Sequence, residues 1–239
     1  MRLYREIRYP HSLGLLYSAV TYYLGFRVNS AEYKVMGLAP YGEPKYLRQM
    51  RKLIDVKEDG SFALNMKYFT FEYGLRMTGR PFEKLFKHKR RKPESELTQF
   101  HKDIARSLQE LTEEVMLKIV TYAKKKYPSN YLCLAGGVAL NCVSNGKILR
   151  SGLFKDIFIQ PAAGDAGGAL GAALGLWHKK YKGERQPRMD QVYYGTEYTD
   201  EQIEAFLVHE LIPFERVPEE KLIGRVAELL EGTNVIGWF

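Results

Sequence analysis

Two glycine-rich segments carry the residues best suited to contact a nucleotide. The first is LCLAGGVALN, residues 132–141, in which Gly136 and Gly137 stand where an apolar strand is expected to turn into a helix. Glycine tolerates a positive φ and lets a ligand approach the backbone closely. The following helix directs unpaired N–H groups and the positive end of its dipole at the same point. The segment therefore predicts a phosphate or adenosine contact, with a tight turn chosen only for packing as the alternative.

The second segment, QPAAGDAGGALGAALG, spans residues 160–175 and repeats this design. Its glycines Gly164, Gly167 and Gly168 are candidates for nucleotide contact. An isolated glycine inside a helix costs roughly 1 kcal/mol relative to alanine, so some other interaction must offset that cost. Close approach of a nucleotide would do so. Close helix packing is the alternative, since Gly168 and the glycines that follow it recur at spacings of three and four.

Asp165 stands immediately before the small-residue helix that this second segment opens. An aspartate at that position accepts backbone N–H bonds and serves as an N-cap. The alternative is a carboxylate of a metal or phosphate site, which would need further ligands. The five histidines include no pair at helical i,i+4 spacing, so the chain has no recognisable histidine metal cluster of its own.

The elements that must position these segments form an α/β unit. Strand, Gly-Gly turn, helix, strand, glycine-rich loop and helix follow one another between residues 131 and 179. A long helix is predicted from the apolar period over 95–127, and a first helix over residues 13–24. Ser30 is expected to cap a second helix that runs through Met36.

Three segments organise the chain. Residues 1–180 are predicted to form one domain, with a hairpin-like, insertion-like stretch at about 55–92. The polar residues 181–192 are typical of a linker, and residues 193–239 of the beginning of a second α/β domain. The last residues, VIGWF, indicate an apolar strand at the very end of the chain. A truncated second domain is the expectation that follows.

The composition limits the class of protein, its location and its partners. The chain has 239 residues, 45% hydrophobic and 27% charged, as in an ordinary globular protein. The formal charge of +8 is concentrated partly in the run KLFKHKRRK, residues 84–92, which indicates a solvated loop or insertion or, alternatively, contact with nucleic acid or a membrane. Cys133 and Cys142 have no metal-type spacing and are expected to be reduced core residues. With no apolar leader or membrane span visible, a cytoplasmic location and no membrane partner are expected.

Three long motifs resemble those of a known family. AGGVALNCVSNGKIL and IQPAAGDAGGALGAAL are similar to the core motifs of the O-carbamoyltransferases of nodulation-factor and antibiotic biosynthesis. AEYKVMGLAPYGEP, residues 31–44, looks like a third signature of the same family. The resemblance implies a partial actin-like, sugar-kinase-like (ribonuclease H-like) domain with a mixed sheet and flanking helices. It also implies the start of a domain similar to the threonylcarbamoyl-adenylate synthases.

The same resemblance implies a reaction. In that family, carbamoyl phosphate and ATP give carbamoyl-adenylate, and the carbamoyl group then passes to a hydroxyl of a small-molecule acceptor. The chemistry is acyl-type transfer, in which a metal and backbone donors neutralise the leaving phosphate while a base takes the acceptor's proton.

Site residues are carried over by motif. Gly136, Gly137, Val138 and Asn141 would line the adenylate pocket, and Asp165 would be a ligand of a divalent metal (iron, manganese or zinc).

Glu32 and Lys34 would lie near the acceptor side as candidate catalytic residues. Lys34 would contact a phosphate or a carbonyl, the alternative being an ordinary exposed position on a surface helix. The family's histidine pair precedes these motifs and is not seen here. A complementary polypeptide supplying that N-terminal half is therefore expected, and this chain alone is expected to be inactive.

Two alternative functions stay open, one non-catalytic and one enzymatic. The chain could be a non-catalytic, actin-like nucleotide-binding module that acts with a partner. It could also be a relative of the tRNA threonylcarbamoyl-transfer enzymes that uses the basic run to hold tRNA, in which case binding should fall steeply with salt. The short basic run disfavours a nucleic-acid partner.

Overall fold

The computed structural model describes residues 3–185, 189, 191–193 and 195–238. The chain divides into two compact units, residues 1–186 and 187–239. The elements of the first unit, in chain order, are α1 (Leu13–Tyr23), α2 (Glu32–Leu38), α3 (Leu47–Met50), β1 (Ile54–Val56), β2 (Phe62–Leu64), α4 (Arg80–Phe86), α5 (Gln99–Lys126), β3 (Tyr131–Leu134), α6 (Cys142–Arg150), β4 (Asp156–Ile159) and α7 (Gly167–Lys179). Those of the second are α8 (Asp200–His209) and α9 (Glu219–Glu231). The mixed α/β class predicted from the sequence is confirmed; the actin-like topology stays a prediction.

The long helix α5 organises the first unit. Its apolar side chains Ile104, Leu108, Leu111 and Val115 recur every three or four residues and are buried, which confirms the helix that the period predicts. A capping box starts it: Thr98 and the third helical residue, His101, satisfy each other's backbone groups.

The motif of residues 31–44 packs against α5. Asp103 of α5 is buried and accepts a hydrogen bond from the N–H of Glu43 (2.9 Å). Burial opposes ionisation of this carboxyl, but the bonds from Glu43 and Gln99 and the ammonium of Lys45 together hold its pKa below the ordinary value. At Gly42 an added Cβ would lie 2.1 Å from the carbonyl oxygen of Lys102, so the two backbones meet directly.

Helix α2 begins differently from the prediction. Its N-cap is Ala31, with no side-chain cap bond, so Ser30 is not the cap. The carboxylate of Glu32 instead accepts the N–H of Asn29 (2.9 Å) and the hydroxyl of Ser18 (2.8 Å). Glu32 also stands in the first turn of α2, where an acidic side chain interacts favourably with the positive end of the helix dipole.

The stretch 55–92 contains the predicted hairpin. Strands β1 and β2 pair antiparallel, with Asp55 opposite Ala63. The stretch also contributes Phe69, Phe82 and Phe86 to the core shared with α1 and α5. It is therefore packed into the unit rather than lying outside it.

The basic run is only partly a solvated loop. Arg91 is buried, and its guanidinium donates to the carbonyls of Leu24 and Ser95. Arg90 donates from Nε to the carbonyl of Tyr22 (2.9 Å). The interpretation of the whole run as solvated is wrong for these two arginines, because they satisfy carbonyls at and just beyond the end of α1 and in a neighbouring loop.

Strands β3 and β4, both predicted from the sequence, pair in parallel, with Leu134 opposite Ile159. The helix predicted after the Gly-Gly turn is interrupted. Residues 137–140 form a 3-10 turn, and α6 starts anew after Asn141, whose side chain accepts the N–H of Ser144 (3.0 Å). An asparagine that caps a new helix ends the preceding turn, because its own backbone is not helical.

Both cysteines are free and exposed, so the prediction that they are core residues is wrong. Cys133 lies on the more exposed of the two alternating faces of β3, and Cys142 is the first residue of α6. An apolar sequence context indicated burial, but the period of two along a strand gives Cys133 the outward position.

The second unit contains α8 and α9 in its described part. Thr199 and Gln202 form a capping box at the start of α8, and α9 follows Pro218. Residues 234–238 form no strand, so the predicted terminal strand is wrong for them; Phe239 lies outside the described residues, as do parts of the predicted linker. A strand needs a partner for its backbone groups, and the described part of this unit offers none. No helix among the described residues is both long and apolar enough to cross a membrane.

Candidate functional site

The two glycine-rich turns lie side by side. Strands β3 and β4 run parallel, so the loops that follow them emerge at the same edge. The N–H of Gly136 donates to the carbonyl of Ala163 at 2.7 Å, which joins the first turn to the second. Gly136 has φ +99°, a conformation that only glycine adopts readily, so this turn requires glycine for backbone reasons.

The surface at these glycines is open. A Cβ built on Gly136, Gly137 or Gly168 would meet no described atom within 4 Å. The same is true of the later glycines of α7, so close packing within the described residues does not account for them. Gly164 and Gly167 are different: an added Cβ would contact Leu140 at 3.7 Å in the first case and clash with the carbonyl of Ala162 at 2.3 Å in the second.

Asn141 is held inside the protein. It is 8% exposed and exchanges two hydrogen bonds with Gln109 of α5: Nδ2 donates to Gln109 Oε1 (2.9 Å), and Gln109 Nε2 donates to Asn141 Oδ1 (3.1 Å). Oδ1 also accepts the Ser144 N–H. These bonds engage its amide within the protein, so in this structure Asn141 fixes where the turn lies relative to α5.

Gln109 stands at the centre of a buried polar network. The hydroxyl of Tyr17 donates to Gln109 Oε1 (3.2 Å), and Gln109 Nε2 also donates to Glu113 (3.0 Å). Glu113 forms an ion pair with Lys147 of α6 (2.8 Å). The pKa of Tyr17 is raised by burial and by the negative charges of Glu32 and Glu113. The network therefore ties α1, α5 and α6 together beneath the turn.

Helix α2 meets the same region. The sulfur atoms of Met36 and Cys142 are 3.9 Å apart, which brings the motif of residues 31–44 to the start of α6. Glu32 is engaged with Ser18 and Asn29, a structural arrangement. Lys34 is exposed, and its ammonium has no ion-pair partner in the part of the chain that the structure describes.

Val138 bridges the turn and the first helix. Its Cγ2 atom lies 3.5 Å from the position that a Cβ on Gly14 of α1 would take. The contact places the 3-10 turn against α1.

Asp165 is exposed and does not cap α7. The N-cap is Ala166, with no side-chain cap bond, so the N-cap interpretation is wrong by one residue. The carbonyl of Asp165 accepts the N–H of Gly168 (3.0 Å). Among the described residues no group of three histidines, cysteines or carboxylates could hold a metal ion. Asp165 could supply one ligand, but the described residues do not form a metal site by themselves.

Sequence reasoning missed the network residues Tyr17, Gln109 and Glu113. One feature of the sequence could have indicated this network: Gln109 and Glu113 are four residues apart and lie beside the apolar stripe of α5. That spacing is also typical of a solvated helix face, so the sequence alone does not distinguish the two.

Comparison with known proteins identifies the family. The model of the carbamoyltransferase N-terminus matches residues 1–174. An uncharacterized protein of Synechocystis is 54% identical over 98% of this chain and 39% of its own length. Nodulation protein NolNO of Sinorhizobium fredii is 37% identical over 95% of the chain and 32% of its own length.

A functionally named enzyme also matches. The 3'-hydroxymethylcephem-O-carbamoyltransferase of Streptomyces clavuligerus is 28% identical over 53% of this chain and 25% of its own length. The chain thus spans two fifths or less of these three relatives. The extent of the family match and the identity over nearly the whole chain show that this protein belongs to the carbamoyltransferase family.

Proposed function

We propose that this chain forms part of an enzyme that transfers a carbamoyl group from carbamoyl phosphate, through ATP-derived carbamoyl-adenylate, to a hydroxyl of a small-molecule acceptor. The observation that carries the proposal is the pair of adjacent glycine-rich turns, joined by the Gly136–Ala163 hydrogen bond and open to solvent at Gly136, Gly137 and Gly168. Open backbone next to the start of a helix is suited to a nucleotide phosphate.

The chain's own residues would share the work as follows. Gly136 and Gly137 would let the nucleotide approach the backbone, and the start of α7 would face its negative charge with the positive end of the helix dipole. Lys34, which is exposed, would contact a phosphate or carbonyl oxygen on the acceptor side. Glu32, already bonded to Ser18 and Asn29, would orient α2 and so position Lys34.

A divalent metal (iron, manganese or zinc) would supply Lewis-acid stabilisation of the leaving phosphate when bound. Asp165 is the described residue that we propose as one of its ligands. The other ligands would have to come from outside the described residues, because these contain no group of three potential ligands.

A complementary polypeptide segment is the further part of the proposal. Helix α7 has no buried residue, and its apolar side chains Leu170, Leu174, Leu176 and Trp177 are each at least 37% exposed. Such a contiguous apolar surface is typical of an interface. Since the relatives are two and a half or more times longer than the aligned region, we propose that the rest of the enzyme covers this helix.

Calorimetric titration with ATP and with a non-hydrolysable carbamoyl-adenylate analogue, with and without divalent metal, tests the nucleotide assignment. Gly137→Asp adds a negative charge on the open turn, and Asp165→Ala removes the proposed metal ligand. Glu96→Ala, which removes an exposed carboxylate from another loop, is the control.

We expect Gly137→Asp to weaken nucleotide binding in all conditions, and Asp165→Ala to abolish only the part of the affinity that depends on metal. Glu96→Ala should bind as the wild type does. Equal affinities for the wild type, Gly137→Asp and Asp165→Ala would remove these residues from the nucleotide site.

A further inference from the structure

A cleft whose lining residues include none of the glycine-rich turns contains three arginines. It has a volume of about 390 Å³ and is lined by Arg76, Arg80 and Arg90 together with Tyr22 and Glu83. The volume falls in the range of small-molecule sites, which begins at roughly 300 Å³. The three arginines come from three different segments: the loop before α4, the first residue of α4 and the segment after it.

One of these arginines is already oriented. The Nε of Arg90 donates to the carbonyl of Tyr22, and its Cζ lies 3.9 Å from the centroid of the Tyr22 ring. The stacking and the Nε bond fix the plane of the guanidinium, while its two terminal nitrogens have no hydrogen-bond partner among the described residues. A fixed guanidinium with free terminal N–H groups is suited to bidentate recognition of an oxyanion.

The loop that carries Arg76 is anchored on both sides. Thr70 donates its hydroxyl to the Arg76 carbonyl (2.6 Å) and its N–H to the carbonyl of Met77 (3.1 Å). A β-bridge joins Phe69, which is fully buried, to Thr78. Arg76 and Arg80 therefore extend from a backbone that is held in place, although both side chains are exposed.

The charge of the cleft is unbalanced. Arg76 and Arg80 have no ion-pair partner in the part of the chain that the structure describes. Glu83 is the carboxylate that lines the cleft, and its Oε1 accepts the backbone N–H of Arg90 (3.0 Å). Three cations facing one carboxylate repel one another, and this repulsion is relieved when an anion binds between them.

We propose that this cleft binds a phosphate monoester of a small hydroxyl-bearing molecule, such as a sugar phosphate. The arginines would hold the phosphate oxygens, since guanidinium groups match their geometry. Glu83 would accept a hydrogen bond from a hydroxyl on the same molecule, and the Tyr22 ring closes one wall. This inference does not rest on the nucleotide assignment, because it involves none of the same residues.

The test is calorimetric titration of the full chain with glucose 6-phosphate, beside glucose and inorganic phosphate. Arg76→Gln and Arg80→Gln each remove one positive charge from the cleft. Arg48→Gln removes one positive charge from an exposed side chain on α3 that does not line the cleft, so it controls for the general electrostatic effect. Binding of a fluorescent single-stranded uridine oligonucleotide tests whether the cleft takes a nucleic acid instead.

We expect saturable binding of glucose 6-phosphate, tighter than that of inorganic phosphate, with no binding of glucose. Arg76→Gln and Arg80→Gln should each weaken it roughly tenfold, as expected for loss of a charge-assisted bond, and Arg48→Gln should leave it nearly unchanged.

Two results would overturn the proposal. One is the absence of saturable binding, or an equal loss in all three variants, which would reduce the cleft to a part of the general positive surface. The other is oligonucleotide binding that depends on Arg76 and Arg80 and is not displaced by glucose 6-phosphate, which would assign the cleft to a nucleic acid. If Arg76→Gln and Arg80→Gln bind ATP as the wild type does, the result for this cleft does not depend on the nucleotide site.

Discussion

Replacing Gln109 by methionine tests the network beneath the Gly-Gly turn. Methionine is close to glutamine in length and volume, so the change removes the amide without leaving a large cavity. Gln109 is 1% exposed and makes hydrogen bonds to Tyr17, Glu113 and Asn141 at 2.9–3.2 Å. In the variant the Tyr17 hydroxyl and the Asn141 Nδ2 group lose their partner while they stay buried.

The expected cost follows from those two groups. A buried neutral donor left without a partner costs about 1–3 kcal/mol, so two of them cost about 2–6 kcal/mol. Burial of the apolar methionine side chain and entry of a water molecule offset part of this cost, which leaves an expected loss of about 2–4 kcal/mol in the free energy of unfolding. Glu113 keeps its ion pair with Lys147, so the hydrogen bond that it loses adds less to this destabilisation.

Urea denaturation followed by circular dichroism measures the loss. Gln49→Met is the matched control, since Gln49 is half-buried on α3 and its side chain makes no hydrogen bond with the described residues; it should change stability by no more than about 0.5 kcal/mol. Tyr17→Phe adds a double-mutant cycle, and the hydroxyl should matter less once Gln109 is gone.

The reasoning is refuted if Gln109→Met costs less than about 1 kcal/mol, the lower limit for one unpaired buried group. It is also refuted if Tyr17→Phe costs the same in both backgrounds, because Tyr17 and Gln109 would then be energetically independent. Either result would mean that packing, and not the Gln109 hydrogen bonds, fixes the position of the Gly-Gly turn.

The other predictions concern pH and steric fit. Burial, aided by electrostatic interactions with His88 and Arg91, lowers the pKa of His101 to about 4 from 6.5. The unfolded chain binds the proton first, so stability should fall by up to about 3 kcal/mol as pH drops from about 6.5 to about 4. His101→Gln keeps a side-chain acceptor for the capping box but removes the titrating group. The free energy of unfolding of this variant, measured by urea denaturation at several pH values, should therefore depend less on pH. An unchanged pH dependence would mean that another group causes it. Gly42→Ala should lower the free energy of unfolding by about 2 kcal/mol or more, because the methyl group meets backbone, whereas the methyl group of Gly37→Ala meets nothing within 4 Å and should be neutral or stabilising. Equal free energies of unfolding for the two alanine variants would contradict the steric argument.

Local patterns in the sequence determined much of the first unit. The apolar period of α5, the hairpin within the stretch 55–92 and the strand–turn–helix order around Gly136 each depend on neighbours along the chain. Such signals are short-range, so they predict the elements and the two glycine-rich turns, whereas the parallel pairing that joins these turns is a finding of the structure. They also sufficed for membership of the carbamoyltransferase family.

The tertiary structure decided which side chains are engaged and which are open. Asn141 is bonded to Gln109, 32 residues away, and Arg90 to Tyr22, 68 residues away. The exposure of Cys133 and the position of Asp165 beside rather than at the N-cap were also beyond the local pattern. The physical reason is that hydrogen bonds and burial depend on residues brought together by the fold, and a one-residue shift along a strand or helix start reverses what a side chain faces.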